Sequence, residues 1–319
     1  MSVGAASELG RAVLAQVERV VVGKYEALEL VLAAVLAGGH VLVEDNPGLA
    51  KTLAARSFAQ ALGLPFRRVQ FTPDLLPADI TGSFVYDQRN AEFEFRSGPL
   101  FAGMLLADEI NRTPPKTQAA LLEAMQEGQV TVEGTTFPLP VPFHVIATSN
   151  PIEYEGTYSL PEAQLDRFLL RVAFGYPSAE QEARVLVNRL DRHAEAAPVD
   201  QVTDSAGLAR AQRTVEHVVV DPTVVQYCVE LTRATRSHPQ LLVGASPRGA
   251  LALMLVARAL AVIRGRDYVV PEDVKTIAVA ALAHRVVLRP EMWMSQVSAD
   301  SVISALRDSV ATPGPVPQR

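Results

Sequence analysis

The stretch that decides the fold runs His40-Val41-Leu42-Val43-Glu44-Asp45-Asn46-Pro47-Gly48-Leu49-Ala50-Lys51-Thr52. A short apolar run leads into a turn and then into a helix predicted over 51–62, which is the order of elements that a phosphate-binding loop requires. Lys51 can reach the β- and γ-phosphates of a nucleotide, and the Thr52 hydroxyl can coordinate Mg²⁺. The loop pattern is incomplete, because Asp45 and Ala50 stand at its two glycine positions. Taken alone, the segment also fits a turn before an ordinary helix.

A second segment ends a predicted strand with two adjacent acids, in Met104-Leu105-Leu106-Ala107-Asp108-Glu109. Successive side chains diverge at a strand end, so the two carboxylates can do different jobs. Asp108 can hold hydrated Mg²⁺ while Glu109 polarises an attacking water, as in-line phosphoryl transfer needs. Helix capping is the alternative, and the preceding Lys-Thr loop favours the catalytic interpretation.

A third polar group closes another apolar strand, in Thr148-Ser149-Asn150. Ligands of open α/β sheets bind at the carboxyl edge of the strands, where this segment, the loop and the acid pair are all predicted to lie. Asn150 could there hydrogen-bond the attacking water or the γ-phosphate. Its alternative role is a turn residue before Pro151.

Two arginines complete the candidate site. Arg167 follows a short predicted helix at the outer flank of the domain, where it could enter a neighbour's site. Arg248 follows Ser246 and Pro247, an N-cap and a first-turn proline, so it opposes the helix dipole and requires a compensating anion. A surface salt bridge is the alternative for each arginine.

The rest of the chain predicts an α/β protein with a helical second part. Apolar runs at 67–71, 104–108, 143–148 and 169–174 alternate with helical stretches, which predicts a parallel sheet covered by helices on both faces. Segments 83–95 and 129–139 are predicted hairpins. After residue 177 helices are predicted at 178–190, 205–215, 222–236, 247–263, 271–284 and 299–309. We expect a core over 1–190, an all-helical lid over 191–311 and a disordered tail over 312–319.

Composition narrows the classes of partner and compartment. The net charge of -6 gives no basic field for a nucleic-acid backbone. The single cysteine, Cys228, excludes an internal disulfide and is expected to be a buried small hydrophobe. Glu29 and Arg258 interrupt the longest apolar runs, which are too short to span a membrane. With no signal-peptide pattern at the amino terminus, we expect a cytoplasmic protein.

Several runs together resemble the AAA+ superfamily and, within it, the MoxR family of ATPases. The most specific is 105–118, LLADEINRTPPKTQ, which continues through 121–125; 71–77, 147–153 and 160–168 add to it. The resemblance implies a P-loop NTPase sheet sandwiched by helices, followed by a helical lid, and hairpins that act as the helix-2 insert and the presensor-1 hairpin. It assigns these residues: Asp45, Asn46, Pro47, Gly48, Leu49, Ala50, Lys51 and Thr52 to Walker A, Asp108 and Glu109 to Walker B, Asn150 to sensor 1, Arg167 to an arginine finger acting in trans, and Arg248 to sensor 2.

The function that this resemblance implies is a chaperone-like motor. It would hydrolyse ATP to ADP and phosphate with Mg²⁺ and remodel or activate protein targets as a hexameric ring, beside partners that carry a von Willebrand factor A domain. ATP is expected between the sheet and the lid, with Asn150 and Arg248 contacting the γ-phosphate. One alternative is a nucleotide-gated binding scaffold with little turnover, motivated by Asp45. Another is a nucleic-acid motor, which the hairpin at 129–139 disfavours because it carries Glu133 and no Lys or Arg.

Overall fold

The computed structural model describes residues 1–150, 158, 160–194, 198–292 and 294–314. Most of the tail predicted to be disordered, 315–319, lies outside these residues. The elements up to the acid pair are α1 (Val3–Glu18), α2 (Tyr25–Leu36), β1 (Val41–Glu44), α3 (Lys51–Ala61), β2 (Phe66–Gln70), α4 (Pro77–Thr81), β3 (Gly82–Asp87), β4 (Glu92–Ser97) and β5 (Met104–Asp108). They continue with α5 (Pro115–Glu127), β6 (Gln129–Val132), β7 (Thr135–Pro138), β8 (His144–Ser149), α6 (Glu162–Leu165), β9 (Leu170–Val172) and α7 (Ala179–Arg192).

A five-stranded parallel sheet in the order β2-β5-β8-β1-β9 forms the centre of the fold. All of β5 is buried, and so is β8 except for its last residue, as parallel strands covered on both faces require. The predicted α/β fold with a parallel sheet between helices is therefore confirmed. The apolar runs were sufficient to locate all five strands to within about two residues.

The first helix begins earlier than its apolar pattern predicts. We expected it from Glu8, whereas α1 starts at Val3 because the side chain of Ser2 accepts a hydrogen bond from the amide of Ala5 at 3.2 Å. An N-cap of this kind satisfies an amide that has no partner inside the helix. A cap can thus extend a helix beyond its apolar face.

Both predicted hairpins form, β3 with β4 and β6 with β7. Glu133 and Gly134 both have positive φ, 49° and 81°, at the tight two-residue connection between β6 and β7. The two hairpins contact each other through Phe95 and Phe137, whose rings stack with centroids 3.9 Å apart. They therefore form one projecting unit on the sheet domain.

The second part of the chain is helical and packs on the sheet domain. Its elements are α8 (Ser205–Glu216), α9 (Pro222–Arg236), β10 (Leu241–Val243), α10 (Pro247–Ile263), α11 (Pro271–Leu282), β11 (Val287–Leu288) and α12 (Ala299–Ser309). Helix α10 packs on α2 and α11 on β9, so one apolar core continues across both parts. The antiparallel pair of β10 and β11 corrects the expectation of helices alone. Strands of two and three residues are too short to show a period in the sequence.

Within the described ranges given above, no helix is both long enough and apolar enough to cross a bilayer.

Candidate nucleotide-binding site

Three adjacent strands bring the predicted site together. β8 lies between β5 and β1, with Ala107 beside Ala147 and Glu44 beside Ser149. The carboxyl ends of these strands are therefore level with one another. The phosphate-loop candidate after β1, the acid pair at the end of β5 and Asn150 after β8 meet at one sheet edge.

The loop after β1 has two residues in the left-handed backbone region just ahead of α3. Gly48 has φ of 82°, and Ala50 has φ of 58° immediately before Lys51 opens α3. The Lys51 ammonium donates to the carbonyl oxygen of Asp45 at 2.6 Å. Ala50 therefore adopts the left-handed conformation that the pattern's glycine would supply, which is strained for alanine.

The Asp45 carboxylate is occupied by backbone amides. One oxygen accepts from the amides of Phe174 and Gly175, both at 2.7 Å, and the other from the amide of Asn46 at 2.9 Å. Only 8% of Asp45 is exposed. The aspartate that replaces the first glycine therefore ties the loop to the segment after β9.

Asp108 is held by two neighbours on adjacent strands. The Thr148 hydroxyl donates to one carboxylate oxygen at 2.6 Å, and the Arg68 guanidinium binds the other through Nη2 at 2.6 Å and Nε at 3.1 Å. Sequence analysis missed Arg68, because its partner is set by the register of β2 against β5. The available signal was a basic pair at the centre of a short strand.

Glu109 faces different groups from Asp108. Its backbone has φ of 56° and its amide donates to the Thr148 hydroxyl at 2.8 Å. Its carboxylate accepts from the Gln70 amide at 2.6 Å and from Arg112 at 2.9 Å. The two acids thus diverge and can act separately.

A cavity lies beside the loop, and sequence analysis did not name the residues that line it. It has a volume of about 590 Å³ and opens between the sheet domain and the lid. Its lining includes Gly23, Tyr25, Phe174, Gln181, Thr276 and Asp300. Gly23, at φ of 74°, makes the turn between α1 and α2 that forms one wall, so this glycine was the signal in the sequence. Phe174 joins the cavity to the loop through its bond to Asp45.

The two arginines lie together at the opposite edge of the sheet. Arg167 precedes β9 in the chain, and Arg248 lies beside this segment. The Leu169 amide donates to the carbonyl of His40, the residue before β1, so this segment is level with the amino end of β1. Arg167 donates to the carbonyl of Leu122 at 2.5 Å. Arg248 approaches Asp166 at 3.9 Å and shares a cavity of about 210 Å³ with Arg167. Arg248 therefore lies away from the loop of its own chain, and its contact with a γ-phosphate stays a prediction.

Arg285, also missed from the sequence, fastens this cluster. Its Nε donates to Asp166 at 2.6 Å, and its other nitrogens donate to the carbonyls of Phe168 at 2.8 Å and Leu169 at 3.2 Å. Burial lowers the pKa of this guanidinium, and the bond to Asp166 opposes that effect. A lid residue thereby fixes the segment that carries Arg167.

Comparison with known proteins identifies the class. The family model described as the ATPase family associated with various cellular activities (AAA) matches residues 40–170, and an AAA lid domain matches residues 233–306. The matched regions contain the loop, the acid pair, Asn150 and most of the lid. Fold and site thus define an AAA+ ATPase, a class of nucleotide-binding proteins.

Full-length relatives narrow this class. The chain is 44% identical to Chaperone MoxR1 of Mycobacterium tuberculosis over 95% of this chain and 83% of that protein. It is 48% identical to the uncharacterized protein YeaC of Bacillus subtilis over 96% of this chain and 95% of the relative. A solved structure of an ATPase candidate from Cytophaga hutchinsonii superposes on this chain with a TM-score of 0.90 and 39% sequence identity. The match covers 97% of this chain and 96% of that one. The chain belongs to the MoxR family of AAA+ ATPases.

Proposed function

We propose that this protein hydrolyses ATP to ADP and phosphate with Mg²⁺ and uses the reaction, as an oligomer, to remodel or activate protein targets. The observation that carries the proposal is the convergence of the loop, the acid pair and Asn150 at one sheet edge beside the 590 Å³ cavity. The name of the relative Chaperone MoxR1 supports the chaperone-like part. The cavity has the volume for a nucleoside, while Lys51 and the first amides of α3 lie where the phosphates would bind.

Mg²⁺ fits the donors at this edge. The Thr52 hydroxyl and the Asp108 carboxylate are oxygen ligands of the kind this ion prefers, and Asp108 already binds one cation, the Arg68 guanidinium. When bound, the ion would neutralise charge on the β- and γ-phosphates. Arg68 must then release at least part of the carboxylate.

Glu109 is the residue that we assign to activating water. Because the two side chains diverge, the Glu109 carboxylate can accept a proton from water while Asp108 binds the metal ion. Gln70 and Arg112 hold this carboxylate at 2.6 and 2.9 Å, so they orient it at the edge. Asn150, which is buried, is assigned to aligning the water or the γ-phosphate.

Arg167 and Arg248 act in trans in this proposal. Both lie at the edge away from their own loop, so they reach a triphosphate only in a neighbouring subunit. An arginine supplied across an interface is worth about 10³–10⁵ in rate in related phosphoryl transfers. Hydrolysis therefore requires assembly. The ring of six and partners with a von Willebrand factor A domain rest on the family resemblance.

We further propose a reducing, cytoplasmic setting and a division into a core over 1–190 and a lid over 191–311. Cysteine content supports the first point, because Cys228 is the single cysteine and the chain can form no internal disulfide. This residue is buried, and burial raises the pKa of its thiol to about 12. Such a thiol is inert to disulfide exchange. Nothing about this cysteine depends on an oxidising compartment.

Phosphate release from pure protein tests the proposal. Wild type should release phosphate from ATP and Mg²⁺, with activity per subunit falling upon dilution, whereas Glu109→Gln should bind ATP and release almost none. If wild type and Glu109→Gln release equally little phosphate, the result favours the alternative of a nucleotide-gated binding scaffold. The scaffold alternative was motivated by the Asp45 carboxylate. This carboxylate accepts hydrogen bonds from three backbone amides, which argues against that alternative. Stimulation by DNA or RNA would instead favour the nucleic-acid motor.

A further inference from the structure

Helix α7 has its apolar face turned to solvent. No residue of α7, every one of which the structure describes, is buried. Leu186, Val187 and Leu190 are 67%, 52% and 69% exposed, and with Ala183 they follow the spacing of a single helix face. The three least exposed positions, Gln181, Asn188 and Arg192, lie on the opposite side. The helix therefore packs on its own subunit through polar residues and presents a continuous apolar stripe outward.

The helix that carries this stripe lies beside the candidate nucleotide site. Gln181, in the first turn of α7, lines the 590 Å³ cavity. Just before the helix, Tyr176 accepts a hydrogen bond from Asn46 of the loop at 3.3 Å. The cavity and the stripe therefore lie on opposite sides of α7, so a partner on the stripe is about one helix diameter, ~10 Å, from the cavity wall.

A complementary surface exists on the arginine edge of the same chain. The 210 Å³ groove that Arg167 and Arg248 border has an apolar floor formed by Met125, Leu169, Leu251, Ala252 and Leu255. Leu251 is 50% exposed. An exposed apolar floor with a cationic rim suits an apolar helix face that carries acids.

Charge matches between the two surfaces. The first turn of α7 carries Glu180 and Glu182, and the groove is net positive because its lining has one acid, Asp166, and three arginines, Arg167, Arg248 and Arg285. Opposite charges at a rim set orientation and register more than affinity. In this orientation the acidic end of α7, which is the end beside the nucleotide, faces the arginines.

We propose that the apolar stripe of α7, formed by Ala183, Leu186, Val187 and Leu190, docks into the Leu251 groove of a second copy of this chain. The proposal rests on the function proposed above, in which Arg167 and Arg248 act in trans. The contact is heterologous, because the stripe and the groove are different surfaces, and repetition of such a contact closes a ring when the rotation allows it. It places the partner's arginines beside the nucleotide.

Mass measurement by light scattering of purified variants tests the contact. Leu186→Glu/Leu190→Glu should be monomeric at concentrations where wild type is oligomeric, with ATP and Mg²⁺ or without. Arg184→Glu changes the net charge by the same amount, since it removes one positive and adds one negative charge on the flank of the helix, where Arg184 is 64% exposed in its side chain, and it should assemble like wild type. Melting curves check that each variant is folded. The substituted leucines are exposed, so the fold does not depend on them.

A mixing experiment distinguishes this contact from α7 packing on α7. Leu251→Glu blocks the groove and should also be monomeric. An equal mixture of Leu251→Glu with Leu186→Glu/Leu190→Glu retains one intact stripe and one intact groove, so it should form dimers and nothing larger. A mixture that stays monomeric overturns the proposal, as does wild-type assembly of the α7 variant or a monomeric wild type. Because mass is measured rather than turnover, an inactive protein that assembles this way contradicts only the proposed function.

Discussion

Replacing Arg285 with alanine tests how the lid fixes the arginine edge. Two lid arginines face the Asp166 carboxylate: Arg285, whose side chain is 3% exposed, bonds it at 2.6 Å, whereas Arg248, 55% exposed, approaches to 3.9 Å. Breaking a buried pair by removing one partner costs about 3–5 kcal/mol. An exposed pair is worth about 0–1 kcal/mol. Arg248→Ala is therefore the matched control.

The structure adjusts the magnitude for Arg285 in two ways. Removal also leaves the carbonyls of Phe168 and Leu169 without this donor, which adds to the loss. Asp166 keeps the Ser246 hydroxyl at 3.1 Å and is 15% exposed in its side chain, which reduces it. We expect Arg285→Ala to lower the free energy of unfolding by about 3 kcal/mol and Arg248→Ala by about 0.5 kcal/mol or less.

Urea unfolding of both variants, followed by circular dichroism, measures these losses. Arg285→Lys keeps the charge but lacks the planar fork of donors, so its loss should lie between those of the two alanine variants. Equal losses for Arg285→Ala and Arg248→Ala, or a loss below about 1 kcal/mol for Arg285→Ala, would refute the assignment of Arg285 as the anchor of this segment.

Three further predictions concern the loop and the buried histidines. Ala50→Gly should raise the free energy of unfolding by about 1 kcal/mol because it relieves the left-handed backbone, whereas Ala54→Gly inside α3 should lower it; urea unfolding decides. Asp45→Gly should lower the free energy of unfolding by about 1–3 kcal/mol, because it leaves backbone amides without their acceptor. It should not tighten ATP binding. At least tenfold tighter binding by calorimetry would show that the carboxylate repels the triphosphate. Burial lowers the pKa of His40 to about 4 and also lowers those of His144 and His284. Because the unfolded chain then binds more protons, stability should fall from pH 6.5 to pH 5 by up to about 1.4 kcal/mol per pH unit per histidine, and a flat profile would contradict this.

The sequence was sufficient for the features that depend on local pattern. Apolar runs located the strands, and adjacency along the chain predicted that Asp108 and Glu109 diverge. The partners of these acids were not predictable, because Arg68 and Gln70 reach them only through the register of β2 against β5. The position of Arg248 relative to the sheet was not predictable for a similar reason. It depends on where α10 docks, and this docking is set by packing against α2 rather than by any motif near residue 248.

Helix α11 links the two edges of the sheet. Thr276, Val279 and Ala280 of this helix line the 590 Å³ cavity, and Arg285, three residues beyond its end, holds the segment of Arg167. A helix moves much like a rigid rod, because its backbone hydrogen bonds join residues of the same helix. An adjustment of α11 to the nucleotide in one subunit would therefore move the arginine that the same subunit offers to its neighbour. Under the proposed function, this arrangement gives each site a physical route to the next site around the assembly, and the Arg285 anchor is the contact on which the route depends.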